Sequence, residues 1–161
     1  MEELWPDLLD TYRALGDFGA KHGVRVCIET MWPPTVEQFV RLVHEIGHPF
    51  VGACVDVGHV AWTVPQKLRG TAEGVALYND NLAALVEGLG PKLMHFHVHD
   101  VRPSDWRDHR ACGTGCIDWS RLFGLLKGLG YAGSLALELE EYDLVGALVA
   151  SKRILEGLTG A

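Results

Sequence analysis

Short apolar runs alternate with longer segments of helical periodicity along the chain, and this order constrains the fold more than any other feature. The runs are apolar on both faces, which is typical of parallel strands that helices cover. The alternation predicts right-handed β-α-β crossovers and a parallel sheet in a single domain spanning residues 1–161. The predicted strands are residues 24–29, 52–56, 92–97 and 134–138. The first, third and fifth predicted helices span residues 3–22, 71–89 and 143–158. The second begins after its cap residue Thr35 and includes Ile46, and the fourth begins after its cap residue Asp118.

A residue type that commonly binds metals ends each predicted strand. These residues are Glu29, Asp56, His97 and Glu138, with Glu140 and Glu141 as rivals of the last one. Because the carboxyl ends of parallel strands are where ligands bind, the side chains are expected to converge. Singly, each has an ordinary explanation, since an acid after a strand often orients a turn and a strand histidine often packs in the core. The combination predicts one divalent metal ion, with Mn²⁺ favoured over Mg²⁺, Co²⁺ and Zn²⁺ because three carboxylates join one imidazole.

Composition narrows the classes of partner. The net charge of −7 argues against general affinity for nucleic acid, which needs a basic surface. No run of about 18 apolar residues appears, so no membrane span is expected. The acidic start lacks the apolar core of a signal peptide, which makes a cytoplasmic location the expectation. Cys27 and Cys54 lie in strand runs, where a thiol usually packs as a small hydrophobic group.

Several short motifs together resemble a known superfamily. They are Cys-Ile-Glu-Thr (27–30), Val-Asp-Val-Gly-His (55–59), His-Phe-His-Val-His-Asp (95–100), Gly-Thr-Gly-Cys-Ile-Asp-Trp (113–119), Gly-Tyr-Ala-Gly (130–133) and Leu-Ala-Leu-Glu (135–138). In order and spacing they are similar to the second half of xylose-isomerase-like sugar phosphate isomerases and epimerases, from about residue 5 to 158. The resemblance implies an α/β fold, a partial (β/α)8 TIM barrel whose four strands correspond to the fifth to eighth.

The resemblance also implies an activity. It makes Glu29, Asp56, His97 and Glu138 the metal ligands of a divalent-metal-dependent sugar isomerase or epimerase. In the ketose 3-epimerase branch, the two ligand glutamates also move the proton beside the carbonyl, and the metal stabilises the resulting enediolate. The implied substrates are a ketose, a sugar phosphate or a small hydroxy-keto acid such as hydroxypyruvate. A dehydratase of inositol-derived ketones begins with the same proton abstraction.

Four further histidines accompany these ligands. His59 matches a histidine that contacts substrate or a second metal, and His109, in the loop after the third strand, is expected to bind substrate. His99 occupies a place where relatives often carry Lys, so it is expected either near substrate or in a supporting or surface position. His95 is expected to pack or form hydrogen bonds deeper in the barrel.

Other functions remain open at this point. A DNA-repair endonuclease branch of the superfamily carries an Asp-x-His pair where this chain has Arg107 and His109, and this difference, with the acidic charge, disfavours cleavage of abasic-site DNA. The chain supplies four of eight barrel strands. It is therefore expected to need a missing N-terminal half, a partner chain or a second copy, and a non-catalytic half-barrel is the alternative. Two minor alternatives concern the loop: a zinc site at His109, Cys112 and Cys116, and a phosphate-binding turn at 113–115.

Overall fold

Four parallel strands form the main sheet of the structure, a computed structural model that describes residues 2–30 and 32–159. In chain order the strands are β1 (Val26–Glu29), β2 (Val51–Asp56), β3 (Leu93–Val98), β4 (Asp100–Arg102), β5 (Arg107–Arg110) and β6 (Ser134–Leu137). The main sheet has the order β1-β2-β3-β6. All three of its strand pairs are parallel, as predicted.

Helices connect these strands as the periodicity predicted. They are α1 (Trp5–His22), α2 (Val36–Ile46), α3 (Ala72–Leu89), α4 (Trp119–Gly128) and α5 (Leu144–Thr159). The side chain of Thr35 accepts a hydrogen bond from the backbone N–H of Gln38, and Asp118 accepts one from Arg121, which confirms both predicted helix caps. Among the described residues, no helix is long and apolar enough to span a membrane.

The hairpin β4–β5 was not predicted. It is antiparallel and separate from the main sheet, and it follows β3 directly. Its residues are mostly charged and show no run of alternating apolar side chains, so strand periodicity gave no signal. Trp106 and His109 have φ values of 57°, a left-handed conformation that side chains other than glycine seldom adopt.

The two faces of the sheet differ in what covers them. Helices pack on the outer face, where Ile28, Val55 and Phe96 are buried in one hydrophobic core. The register aligns Cys54 with His95, and Asp56 with His97, on the inner face. The prediction that Cys27 packs as a small hydrophobic group is wrong, because its inner-face thiol is exposed, whereas Cys54 is buried.

Both outer strands of the main sheet have a free edge within the described residues. There, β1 pairs only with β2, and β6 pairs only with β3. Apolar side chains are also exposed on the first and last helices, including Phe18 on α1 and Val145 on α5. A sheet of this kind is an open half of the parallel barrel expected from the sequence.

Candidate metal centre

The end of each main-sheet strand positions one of the four predicted ligands. Glu29 is the last residue of β1, Asp56 is the last of β2, and His97 lies one residue before the end of β3. Glu138 follows β6 immediately, and its backbone N–H donates a hydrogen bond to the carbonyl of Val98. This bond continues the register of β6, so the Glu138 side chain faces the same way as that of His97.

The structure brings all four side chains together around Nδ1 of His97. That atom lies 3.2 Å from Oε1 of Glu29, 3.6 Å from Oδ2 of Asp56 and 3.1 Å from Oε2 of Glu138. Donor atoms that share one divalent ion are separated by roughly 3 Å, because each lies about 2.0–2.6 Å from the ion. A carboxylate oxygen of Asp56 lies within 4.8 Å of one from Glu29 and of one from Glu138, so these charges repel one another, and a bound cation removes that repulsion.

Asp56 is the most enclosed of the four groups. Its side chain is 1 % exposed, and Oδ1 accepts a hydrogen bond of 3.1 Å from the backbone N–H of His59. Within the described residues, the buried Oδ2 has no hydrogen-bond partner and faces His97. Burial raises the pKa of the Asp56 carboxyl, and the nearby charge of His59 opposes that shift. An unpaired carboxylate oxygen in a buried position fits a metal ligand.

The two glutamates are accessible, unlike Asp56. The side chain of Glu29 is 42 % exposed and that of Glu138 is 50 % exposed. They come from the two outermost strands of the sheet, with Asp56 and His97 between them. A molecule entering the open mouth of the half-barrel therefore meets a carboxylate on either side.

His59 lies on the β1 side of this cluster. Its Nδ1 is 2.6 Å from the carbonyl oxygen of Thr30 and 3.5 Å from Oε1 of Glu29. The Thr30 carbonyl is an acceptor, so Nδ1 carries the proton of that hydrogen bond. His59 also lines a shallow depression whose wall includes Pro33 and the exposed ring of Trp62.

His99 and His109 form a stacked pair on the other side of Asp56. Their ring centroids are 4.2 Å apart, with 18° between the planes. The side chain of His99 is fully buried, its Nε2 lies 3.4 Å from Oδ1 of Asp56, and burial lowers its pKa to about 3. His109 is 17 % exposed. The sequence predicts His99 near substrate or in a supporting or surface position. The structure leaves its ring no exposed surface, so it lies in a supporting position beside Asp56.

A carboxylate missed by the sequence reasoning supports His109. Oδ1 of Asp108 lies 3.0 Å from Nδ1 of His109, and Nε2 of His109 lies 3.7 Å from Oε1 of Glu138. Burial disfavours the charged form of His109, but the hydrogen bond and charge of Asp108 outweigh burial and raise its pKa. The Asp-x-His pattern considered for this loop has its acid two residues before the histidine, where this chain has Arg107. The adjacent acid supplies the contact because the hairpin turns at His109.

The two rival glutamates lie outside the cluster. Glu140 is paired with Arg107 and Arg110, each at 3.8 Å. Glu141 accepts hydrogen bonds from the Arg110 guanidinium at 3.2 Å and from the backbone N–H of Ala111 at 3.1 Å. These contacts fasten the segment after β6 to the hairpin, which holds Glu138 and His109 near each other.

The glycine-rich loop serves a structural purpose. Asp100 is fully buried and accepts hydrogen bonds from the backbone N–H groups of Val101, Gly113 and Ile117 and from the indole of Trp119. The N–H groups of Thr114 and Cys116 donate to backbone carbonyls. Two of the three N–H groups in the turn at 113–115, those of Gly113 and Thr114, are therefore engaged within the protein, which favours a plain turn over a phosphate-binding one. Within the described residues, no group of ligand-spaced side chains joins His109 to Cys112 or Cys116.

The sequence matches a family model over nearly all of its length. Residues 1–158 match the xylose isomerase-like TIM barrel. The chain belongs to this family. An inosose dehydratase of Klebsiella pneumoniae (strain 342) is 28 % identical over a match that covers 87 % of this chain and 49 % of the relative. The chain thus spans about half the length of that curated relative.

Solved structures show the same relation in three dimensions. A D-tagatose 3-epimerase-like protein superposes with a TM-score of 0.70 at 21 % identity, covering 98 % of this chain and 55 % of the other. A xylose isomerase domain protein from Planctomyces limnophilus gives a TM-score of 0.69 at 21 % identity, covering 97 % and 54 %. At these identities the likeness concerns the fold. The four parallel strands and their helices are half of a TIM barrel.

Proposed function

We propose that this chain is the metal-binding part of a divalent-metal-dependent sugar isomerase or epimerase. The convergence of Glu29, Asp56 and Glu138 on one nitrogen of His97 supports the proposal most strongly. In this proposal the four side chains hold one divalent ion. Mn²⁺ is favoured because it accepts both carboxylate and imidazole ligands, and Mg²⁺, Co²⁺ and Zn²⁺ are alternatives.

The proposed chemistry is proton transfer at the carbon next to a carbonyl. When bound, the ion polarises the carbonyl oxygen of the substrate and stabilises the negative charge of the enediolate. One of the exposed glutamates, Glu29 or Glu138, removes the proton, and the other returns a proton to the opposite face or to the neighbouring carbon. Their positions on opposite sides of the cluster suit this division of roles.

The partly exposed histidines are proposed to bind the substrate. His59 and His109 line the mouth of the site with 14 % and 17 % of their side chains exposed, and they lie beside Glu29 and Glu138 respectively. Each presents a ring nitrogen that can bond a sugar hydroxyl. His99 has no exposed surface, and its Nε2 lies 3.4 Å from Oδ1 of Asp56, so its proposed role is to support that carboxylate.

The relatives support a polyhydroxy ketone as substrate. One similar structure is of a D-tagatose 3-epimerase-like protein, and one curated relative is an inosose dehydratase. Epimerisation and dehydration share their first step, removal of a proton beside a carbonyl. We therefore propose a ketose or a cyclic keto-polyol, with a sugar phosphate or a small hydroxy-keto acid as other members of the class.

Binding and exchange experiments test this function. Calorimetric titration of the chain with Mn²⁺ should show binding that Glu138→Gln weakens strongly. The Mn²⁺-loaded protein should then exchange deuterium from solvent into the carbon beside the carbonyl of D-tagatose or an inosose. Absence of Mn²⁺ binding contradicts the proposed site. Binding without exchange on any ketose contradicts the proposed catalytic activity of this chain.

A second candidate function rests on the open edges of the sheet. The free edges of β1 and β6 and the exposed Phe18 and Val145 suit a half-barrel that pairs with a partner chain or a second copy. Light scattering on the purified chain separates the alternatives. A stable monomer that does not bind an apolar dye eliminates this candidate.

A further inference from the structure

A group of sulfur and nitrogen donors lies deeper on the inner face than the carboxylate cluster. One donor atom from each of Cys54, His95 and His97 lies within 4.8 Å of the others. We propose that these three side chains bind a thiophilic metal ion such as Zn²⁺, and that this ion competes with the carboxylate-bound ion for His97. The competition rests on the metal site of the proposed function, whereas the binding of the thiophilic ion does not.

The register of the sheet brings these groups together. Cys54 of β2 is aligned with His95 of β3, just as Asp56 is aligned with His97 two residues further along. Residues two apart in a parallel strand point to the same face and are separated by roughly 6.6 Å, because each residue advances the strand by about 3.3 Å. The inner face therefore carries a row with a thiol and an imidazole directly beneath the row of carboxylates, and His97 borders both rows.

The two rows offer ligands of different chemical character. Carboxylates suit Mg²⁺ and Mn²⁺, whereas a thiolate with two imidazoles suits Zn²⁺ and other thiophilic ions. Three protein ligands of this kind leave the fourth position of a tetrahedral Zn²⁺ for water. Cys54 binds as the thiolate, so its proton passes to solvent as the metal–sulfur bond forms. Its side chain is buried in the sheet, and the partly exposed His97 gives the ion access from the open side.

The two imidazoles have the spacing of ligands that share one ion. The ring centroids of His95 and His97 are 5.3 Å apart, and the ring planes are perpendicular. Two imidazoles bound to one tetrahedral Zn²⁺, with Zn–N bonds of about 2.0–2.1 Å, have centroids roughly 5 Å apart. Because the lone pair of an imidazole nitrogen lies in the ring plane, perpendicular rings can both point at an ion on the line where their planes meet.

Ser134 holds His95 in the protonation state that a metal ligand needs. Nδ1 of His95 lies 2.7 Å from the hydroxyl oxygen of Ser134 on the neighbouring strand β6. Donation of the Nδ1 proton to this hydroxyl leaves a lone pair on Nε2. Histidines that bind metals commonly donate their other ring N–H to a nearby acceptor, which fixes the orientation of the ring. The hydrogen bond to Ser134 is a contact of this kind.

His97 makes the two ions compete. Its Nδ1 lies 3.2 Å from Oε1 of Glu29 and 3.1 Å from Oε2 of Glu138, within the carboxylate cluster. A neutral imidazole has one nitrogen with a free lone pair, so His97 can serve only one ion at a time. A thiophilic ion bound to His97 therefore leaves the carboxylate-bound ion one ligand short. Zn²⁺ that fills the deeper site should inhibit the proposed isomerase or epimerase.

Titration of the full 161-residue chain with Cd²⁺ tests the proposal, because a bond between Cd²⁺ and a thiolate gives an ultraviolet charge-transfer band that carboxylate or imidazole ligands do not give. A competing interpretation, in which Cys54 merely packs as a small hydrophobic group, predicts no band. The wild type should show the band, and Cys54→Ser should lose it. His95→Gln should weaken Cd²⁺ binding about 10–100-fold and leave Mn²⁺ binding nearly unchanged. Circular dichroism checks that both variants fold, and the partly exposed His95 gives the less disruptive change.

Cys27→Ser is the matched control, since Cys27 is an exposed thiol on the same face that, within residues 2–30 and 32–159, belongs to no such group of ligands. This variant should keep the band, and Mn²⁺ should reduce the band at a fixed concentration of Cd²⁺. Absence of the band, its loss in Cys27→Ser, or Cd²⁺ binding that His95→Gln does not weaken overturns the deeper site and leaves the proposed function standing. A band that bound Mn²⁺ does not reduce overturns the competition. Absence of Mn²⁺ binding with the band intact contradicts the proposed function alone.

Discussion

The two faces of strand β3 show how differently the same backbone is used. On the outer face Phe96 is completely buried beneath the helices. On the inner face, its neighbours His95 and His97 are partly exposed, and the ring of His97 faces three carboxylates. The outer face is stabilised by apolar burial, whereas the inner face gathers groups that repel one another or lose hydration. Stability and metal binding should therefore respond separately to changes on the two faces.

The largest effect on stability is expected on the outer face. Phe96→Ala removes a fully buried ring from the core and should lower the free energy of unfolding by about 3–5 kcal/mol. His95→Ala, one residue away on the inner face, should lower it by less than about 1 kcal/mol, because His95 is partly exposed and loses one hydrogen bond to Ser134. Urea unfolding of both variants measures the difference. Equal losses would show that the inner face is packed as tightly as the outer one.

The next largest effect is a loss of Mn²⁺ affinity, and it is expected for changes on the inner face alone. Glu29→Gln and Glu138→Gln each remove a negative charge from the cluster around His97. Each should weaken Mn²⁺ binding on the order of 100-fold or more, because loss of even a residue that supports a ligand typically reduces metal affinity 10–100-fold. Without metal, both variants should be as stable as the wild type, because relief of repulsion offsets the lost contacts. Calorimetric titration and urea unfolding test the two halves of this prediction. A large loss of stability without metal would contradict the separation of the faces.

The contrast between the two faces also explains which parts of the fold and site could be predicted from the sequence. Apolar periodicity identified the main-sheet strands and the helices, because these elements are stabilised by burying one face. Strand ends such as Glu29 and Asp56 could be predicted to meet, since parallel strands bring their carboxyl ends to one edge of the sheet. The hairpin lacked this signal. Its role depends on contacts such as His109 with Glu138 and Arg110 with Glu141, which link residues whose proximity follows from tertiary structure alone.

A smaller loss of stability is expected for a change at the contact between helix α3 and the end of strand β2. The buried hydroxyl of Tyr78 donates a 2.8 Å hydrogen bond to the carbonyl of Val57, just after β2. Tyr78→Phe leaves that carbonyl unpaired and should lower the free energy of unfolding by about 1–2 kcal/mol near neutral pH. Urea unfolding gives this value, and a neutral substitution would show that Val57 finds another partner.

The stability of Tyr78→Phe should also depend on pH differently from that of the wild type. Burial raises the pKa of Tyr78 well above its usual value. Above about pH 10 the unfolded chain loses this proton while the folded chain keeps it, so stability should fall as pH rises, by up to about 1.4 kcal/mol per pH unit for one group. Burial also raises the pKa of Tyr131 to about 12, so part of the decline persists in Tyr78→Phe. Unfolding curves between about pH 8 and pH 11 should decline less steeply for the variant than for the wild type. Parallel declines would contradict the burial of the hydroxyl.

The smallest effect is expected at Glu140, and it tests the boundary of the inner face. An extended strand would point Glu140 to the same side as Glu138, but β6 ends at Leu137, and the Glu140 backbone N–H donates to the carbonyl of His109. Its carboxylate is 65 % exposed and pairs with Arg107 and Arg110 at 3.8 Å. The pair with Arg107 is exposed and contributes little, and the buried Arg110 keeps its hydrogen bond to Glu141. Glu140→Gln should therefore leave both Mn²⁺ affinity and stability nearly unchanged.

Titrating Glu140→Gln beside Glu138→Gln under the same conditions gives a direct comparison, because both changes remove one carboxylate from the same short segment. If Glu140→Gln abolishes binding while Glu138→Gln does not, the register after β6 is wrong and the ligand set must be redrawn. If both variants bind Mn²⁺ as the wild type does, the fourth ligand lies elsewhere on the inner face. His109 is then the first alternative to test, since its Nε2 is 3.7 Å from Oε1 of Glu138 and occupies the same corner of the site.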